Sequence, residues 1–275
     1  MAEFQEIEIV SWVRLTEIAS RLVIGPPLKT MYVFRGQSVD WSLESRLTRI
    51  LEAELRLEDI YAIERDAQEK FENQAHLFLP PSLSRLDLKT GSGVMLMQHY
   101  GVPTRMLDWT GSIYVAAYFA VSELQYADSD GVIWLFHSHS VSEASSQKFG
   151  EVVETRKFKQ TYQLEQPKPD IRLLGMLRQA PRIASQQSAL TVSRDPRTIH
   201  GDALRDLVEQ VDSDKIIGAK LIIKAHCKEE IQRQLHAANI NSFTLFPGLD
   251  GLGKSVADSM MRSIKITANE IRLQR

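Results

Sequence analysis

One stretch of this chain, Met97-Gln98-His99-Tyr100-Gly101-Val102-Pro103-Thr104-Arg105-Met106-Leu107-Asp108-Trp109-Thr110, crowds imidazole, phenol, guanidinium, carboxylate, indole and hydroxyl groups together. Gly101 and Pro103 disfavour regular structure, so the spacing predicts a turn that displays these side chains between two elements. His99 has the chemistry of a general base near neutral pH. Asp108 lies between Leu107 and Trp109, both expected to be buried, so its carboxylate must be paired, hydrogen-bonded or protonated. Arg35 and Arg105 are the candidate partners. Thr104 and Thr110 add hydroxyls, and Tyr100 or Trp109 could stack on a flat ring such as a nucleobase or nicotinamide. A second reading of the same residues is a buried polar network, with Asp108 a satisfied core acid beneath a helix N-terminus.

Arg35 follows the short apolar run Met31-Tyr32-Val33-Phe34, which reads as a buried strand that delivers Arg35-Gly36-Gln37-Ser38 at its end. A guanidinium fixed there suits bidentate binding of phosphate or carboxylate, and Gly36 would let a ligand come close to the backbone. The alternative is a structural ion pair with Asp108 or Asp40. Residues 248–255, Gly-Leu-Asp-Gly-Leu-Gly-Lys-Ser, match the phosphate-loop spacing G-x-x-x-x-G-K-[ST]. Pro247 crowds the entry to that segment, and only 20 residues follow Ser255, too few for the further strands of a nucleotide-hydrolase sheet. No zinc spacing, no G-x-S-x-G elbow and no paired glycosidase carboxylates are present, so no metal is expected.

The elements that must position these residues can be read from periodicity. Helices are predicted over residues 12–23 behind a Ser11 cap, within 45–79 as one or two amphipathic helices, and over 94–100, 113–126, 204–211, 228–238 and 256–264. Strands are predicted at 31–34, 132–136, 189–192, 219–223 and 243–246. Residues 137–181 are polar without a sustained period and read as a long excursion. Strands and helices mix without regular β-α-β alternation. That predicts one α+β domain over residues 1–275: a central mixed sheet of short strands with helices packed around it, and a helical arm over 44–80.

Composition sets the outer bounds. Apolar residues make up 43% of the chain, enough for a substantial core, and 33 basic against 35 acidic residues leave a formal net charge of -2. That balance argues against a dedicated nucleic-acid surface. Cys227 is the single cysteine, no apolar run approaches a membrane span, and no signal peptide is visible at the N-terminus. A soluble cytoplasmic protein is expected.

Four blocks give the chain a resemblance to the FRG-domain family, named for Phe-Arg-Gly, here Phe34-Arg35-Gly36. The first runs from Tyr32 to Ser38 with Trp41-Ser42-Leu43 and Arg46. The second runs from Met97 through Leu107-Asp108-Trp109-Thr110 to Ala116-Ala117-Tyr118-Phe119-Ala120. The third is Arg182-Ile183 with Gln186-Gln187-Ser188-Ala189-Leu190-Thr191-Val192, and the last is Leu245 to Leu252. A weaker, fold-level similarity concerns ADP-ribosyltransferase-like proteins. It implies that Arg35 holds the pyrophosphate of NAD, that Trp109 or Tyr118 flanks the nicotinamide, and that Gln186 orients an acceptor or water, with Asp108 in place of the usual glutamate. The expected catalytic set is therefore Arg35, Asp108, Gln186 and His99. The expected binding set is Arg35, Gly36, Gln37, Thr104, Arg105, Trp109, Thr110 and Tyr118. The ligand implied is NAD or a related nucleotide. The alternative is a non-catalytic recognition module for a protein or nucleic-acid partner.

Overall fold

Val132-Ile133-Trp134-Leu135-Phe136 is a short, continuously apolar run rich in β-favouring residues, which suits a strand buried on both faces. The computed structural model describes residues 2–22, 32–79, 83, 88, 91–150, 167–174 and 188–273, and places that run in the interior of a sheet. The strands are β1 (Gln5–Ile9), β2 (Tyr32–Gln37), β3 (Met106–Thr110), β4 (Gly131–His137), β5 (Arg172–Leu174), β6 (Ser188–Val192) and β7 (Gly218–Ile223). They form one mixed sheet in the order β1-β7-β4-β2-β3-β6-β5. Only β1 and β7 pair in parallel; the remaining neighbours are antiparallel.

The helices are α1 (Trp12–Leu22), α2 (Arg46–Ile50), α3 (Leu57–Ala75), α4 (Gly91–His99), α5 (Ile113–Val121), α6 (Ser138–Phe149), α7 (His200–Val208), α8 (Lys228–Ala237), α9 (Ser242–Leu245) and α10 (Leu249–Leu273). Alternation along β4 divides the core. Ile133 and Leu135 join Phe34, Leu221 and the inner residues of α1, α5 and α8 on one face. Val132, Trp134 and Phe136 join Val33, Leu107, Trp109 and the inner residues of α6 and α7 on the other. A smaller cluster packs Val94 and Met95 of α4 against Met106, Val192 and Leu174. The architecture is α+β, and no helix among the described residues is long and apolar enough to cross a membrane.

Local chemistry explains where elements start and stop. Ser11 Oγ accepts the Arg14 amide at 3.2 Å and starts α1; Ser112 Oγ accepts the Val115 amide at 3.4 Å and starts α5. Helix α4 ends in a Schellman turn. Gly101 takes φ 88°, its amide donates to the Gln98 carbonyl at 3.0 Å, and Val102 donates to the Met97 carbonyl at 3.0 Å.

Several elements depart from the pattern-based expectation. The first apolar run does not stop before Arg35: β2 continues through Arg35, Gly36 and Gln37, paired along its length with β4. The 97–110 stretch is no single turn, because its second part is strand β3. Residues 243–246, rich in β-favouring side chains, form no strand: the first three belong to the short helix α9 and Phe246 caps it. Asn241 and Thr244 close a capping box there, so local hydrogen bonding outweighs propensity. The segment 137–181 begins with helix α6 and carries β5 near its end. Strand β1 was not anticipated. The phosphate-loop pattern is helical from Leu249 onward, with the Leu252 amide already donating to the Gly248 carbonyl at 3.2 Å, so the segment runs as a helix and not as an open loop wrapped around a phosphate.

Candidate functional site around Arg35 and Asp108

The Schellman turn after α4 and the start of β3 bring Gln98, Thr104 and Asp108 into one hydrogen-bonded chain. The Thr104 hydroxyl donates to Gln98 Oε1 at 2.6 Å, and Gln98 Nε2 donates to Asp108 Oδ1 at 2.7 Å. The Met106 amide donates to Thr104 Oγ1 at 3.3 Å. Thr104 is buried, whereas Asp108 is the one exposed residue of β3. The carboxylate expected in the interior therefore stands at the surface, oriented by an amide. Helix α2 braces the turn: Arg46 Nη1 donates to the Gly101 carbonyl at 2.8 Å, and the Leu47 amide to the Thr104 carbonyl at 3.2 Å.

Arg35 does meet Asp108, but at the backbone. The β2–β3 ladder holds a single residue pair, Phe34 with Thr110, so the strands part beyond it. Arg35 Nη1 donates to the Asp108 carbonyl at 2.7 Å across that gap. Burial pulls the guanidinium below its ordinary value; the Asp108 charge pulls it back up, and neighbouring Arg49 pushes it down. It stays a cation, since arginine deprotonates only far above neutrality. Asp40, its other expected partner, pairs with Lys220 at 2.5 Å.

Other expected site residues are occupied elsewhere. Arg105 is buried, paired with Glu64 of α3, and donates through Nη1 to the Arg194 carbonyl at 2.6 Å, with the Tyr61 ring 5.2 Å away. It ties α3 to the sheet rather than facing a ligand. Trp109 is buried, its Nε1 donating to Thr191 Oγ1 at 2.8 Å and its ring edge-on to Phe136 at 4.8 Å. Tyr118 is buried in α5 and packs beside Phe119, and Thr110 is buried with its hydroxyl accepting the Ser112 amide at 3.1 Å. Neither aromatic ring is exposed to flank a nicotinamide from these positions. A Cβ on Gly36 would lie 1.8 Å from the Ala116 carbonyl oxygen, so this glycine admits helix α5 and not a ligand. His99 is half-buried, its ring 5.1 Å from the Tyr100 ring. Gln186 lies outside the described residues.

The structure adds two residues that sequence reasoning missed. Trp134 is the cross-strand neighbour of Arg35, so both project from the same face of the sheet, as does Gln37 two residues along. His200, the first residue of α7, is buried over this face and feels the Arg35 charge. Its pKa is lowered to about 4, chiefly by burial and further by Arg35, against a contact with the Thr198 backbone that falls outside hydrogen-bond geometry. Trp134 Nε1, Gln37 Oε1, Arg35 Nε and both His200 ring nitrogens are buried without a hydrogen-bond partner. Native interiors leave few such groups, and here they gather around one guanidinium. No sequence signal could have united them: Trp134 reads as plain core, and His200 stands far along the chain from Arg35.

Among the described residues, no group of three or more His, Cys, Asp or Glu is placed to hold a metal ion. The family model of the FRG domain matches residues 30–129, a span that holds Arg35, Gln37, Gln98, Thr104 and Asp108 and stops short of Trp134 and His200. No curated protein and no solved structure matches the chain.

Proposed function

We propose that this chain, whose residues 30–129 match the model of the FRG domain, binds NAD or a related nucleotide, with Arg35 as the group that grips it. The observation that carries the reading is the state of Arg35. It makes one hydrogen bond among the described residues, to the Asp108 carbonyl, and its Nε is buried with no partner. A desolvated cation with unused donors is costly alone, and an anionic group offsets that cost. Asp108 stands beside it, exposed and held by Gln98, where a carboxylate can steady the positive charge that develops on a ribosyl carbon as its bond to nicotinamide breaks. His99 follows Gln98, the residue that holds Asp108, at the end of helix α4, and is the imidazole this reading assigns as proton acceptor for an attacking water.

Isothermal titration of the full chain with NAD and ADP-ribose, together with an assay for released nicotinamide, tests this. Wild type should bind, and Arg35→Ala should weaken binding at least tenfold, with Arg35→Lys recovering only part because it loses the planar fork. A folded wild-type protein that binds neither compound defeats the proposal. The second reading, a recognition module without turnover, is favoured by the burial of Trp109 and Tyr118, which leaves no ring clamp of the expected kind. Binding that depends on Arg35 with no nicotinamide release would select it.

A further inference from the structure

Five unpartnered polar atoms sit on the α7 side of the sheet, and their chemistry is mixed. Arg35 Nε and Trp134 Nε1 are donors, Gln37 Oε1 is an acceptor, and a neutral His200 offers one donor and one acceptor. Their positions are tied together. Arg35 and Trp134 are directly opposed across β2 and β4, and Gln37 follows on the same face. Helix α7 begins against Trp134: a Cβ on Gly201 would meet the indole at 3.3 Å, and His200, the residue before it, is buried near enough to Arg35 to feel its charge. Trp134 and His200 are each more than nine-tenths buried, while Arg35 and Gln37 are half-buried and mark the open side.

A phosphate seated against all five atoms would satisfy the donors but place its charge against Gln37 Oε1 and the His200 lone pair, so the anionic part of the ligand is left to the Nη side of the Arg35 guanidinium. An apolar group would leave every atom unpaired. A planar group that carries donors and acceptors on one edge satisfies both kinds. We infer that Arg35 Nε, Gln37, Trp134 and His200 form a recognition cell for the heterocyclic end of the nucleotide, a ring bearing a carboxamide or an amino-and-imine edge. This rests on the nucleotide reading above, and it assigns specificity to two residues outside the FRG-matched segment.

The full chain is titrated with three probes: ADP-ribose, nicotinamide mononucleotide and ribose 5-phosphate, the last without an aromatic ring. Trp134→Phe removes the N–H and keeps most of the packing; Gln37→Leu removes the acceptor. Each variant should weaken the tighter of the two ring-bearing probes about tenfold and leave ribose 5-phosphate unchanged, with melting temperatures close to wild type. Ring-bearing probes that bind both variants as tightly as wild type overturn the inference and leave the nucleotide reading standing; a lowered melting temperature beside that result assigns the cell to structural water alone. Equal loss for all three probes also overturns it, since the effect is then general. A wild type that binds none of the probes sinks both.

Discussion

Two arginines within reach of the same turn have opposite fates, and the difference lies in their partners. Arg105 spends its guanidinium on Glu64 and on the carbonyls of Ser193 and Arg194. Arg35 makes one bond among the described residues and keeps its Nε unpaired. Removing the first should therefore cost stability, and removing the second should cost binding. Arg105→Ala leaves Glu64, largely buried, without its counter-charge, so a loss of about 3–5 kcal/mol is expected in urea unfolding. If Arg105→Ala unfolds at the wild-type midpoint, the tie between α3 and the sheet is not what holds them. Residue types were legible at this scale: Arg35 and Asp108 were singled out by chemistry alone, and they meet, though through the Asp108 carbonyl and not the carboxylate expected to pair. Their roles were not legible, because Glu64 is 41 residues from Arg105 in the chain and nothing local distinguishes a donor consumed by it from one left over.

Elements with a single strong period were readable, and elements decided by a neighbour were not. Strand β4, strand β7 and helices α1 and α8 follow their hydrophobic patterns closely. Helix α9 does not, because a capping box sets its conformation against the propensity of Phe243-Thr244-Leu245-Phe246. Strand β3 was hidden inside a run whose Gly and Pro signalled a turn, and it offers no alternation to read, since all its residues but Asp108 are buried. Gly36 shows the same limit, since its reason lies across the sheet in α5. Small residues Ala116 and Ala120 let that helix approach β2, and the carbonyl of Ala116 occupies the space that a Cβ on residue 36 would need. Gly36→Ala should accordingly push α5 off the strand and cost about 3 kcal/mol or more, a full overpacking penalty against backbone rather than a flexible side chain. Thermal and urea unfolding report it. A variant within 0.5 kcal/mol of wild type would mean the helix shifts freely, and the close packing would carry no constraint.

For the molecule as a whole, the α+β class followed from the mixture of periods, but the strand order did not, because β1 joins β7 and β5 joins β6 through pairings that no local pattern encodes. That order is what brings His200 onto Arg35, and it has a thermodynamic signature for the entire fold. In the unfolded chain His200 titrates near 6.5; in the fold it titrates at about 4, because burial and then the facing Arg35 disfavour its charged form. Between those values the unfolded state holds the extra proton, so stability is fully present above pH 6.5 and falls as the pH drops toward 4. The shift corresponds to about 3 kcal/mol. Asp130, held below its ordinary value by Lys224, loses its contribution only at lower pH, outside this window. Urea unfolding at pH 7 and pH 4.5 should show wild type losing most of that 3 kcal/mol and His200→Gln losing far less, even if the variant starts out less stable. Parallel losses in the two proteins would place His200 in contact with solvent, and with it would go the buried inner wall of the cell on the α7 face of the sheet.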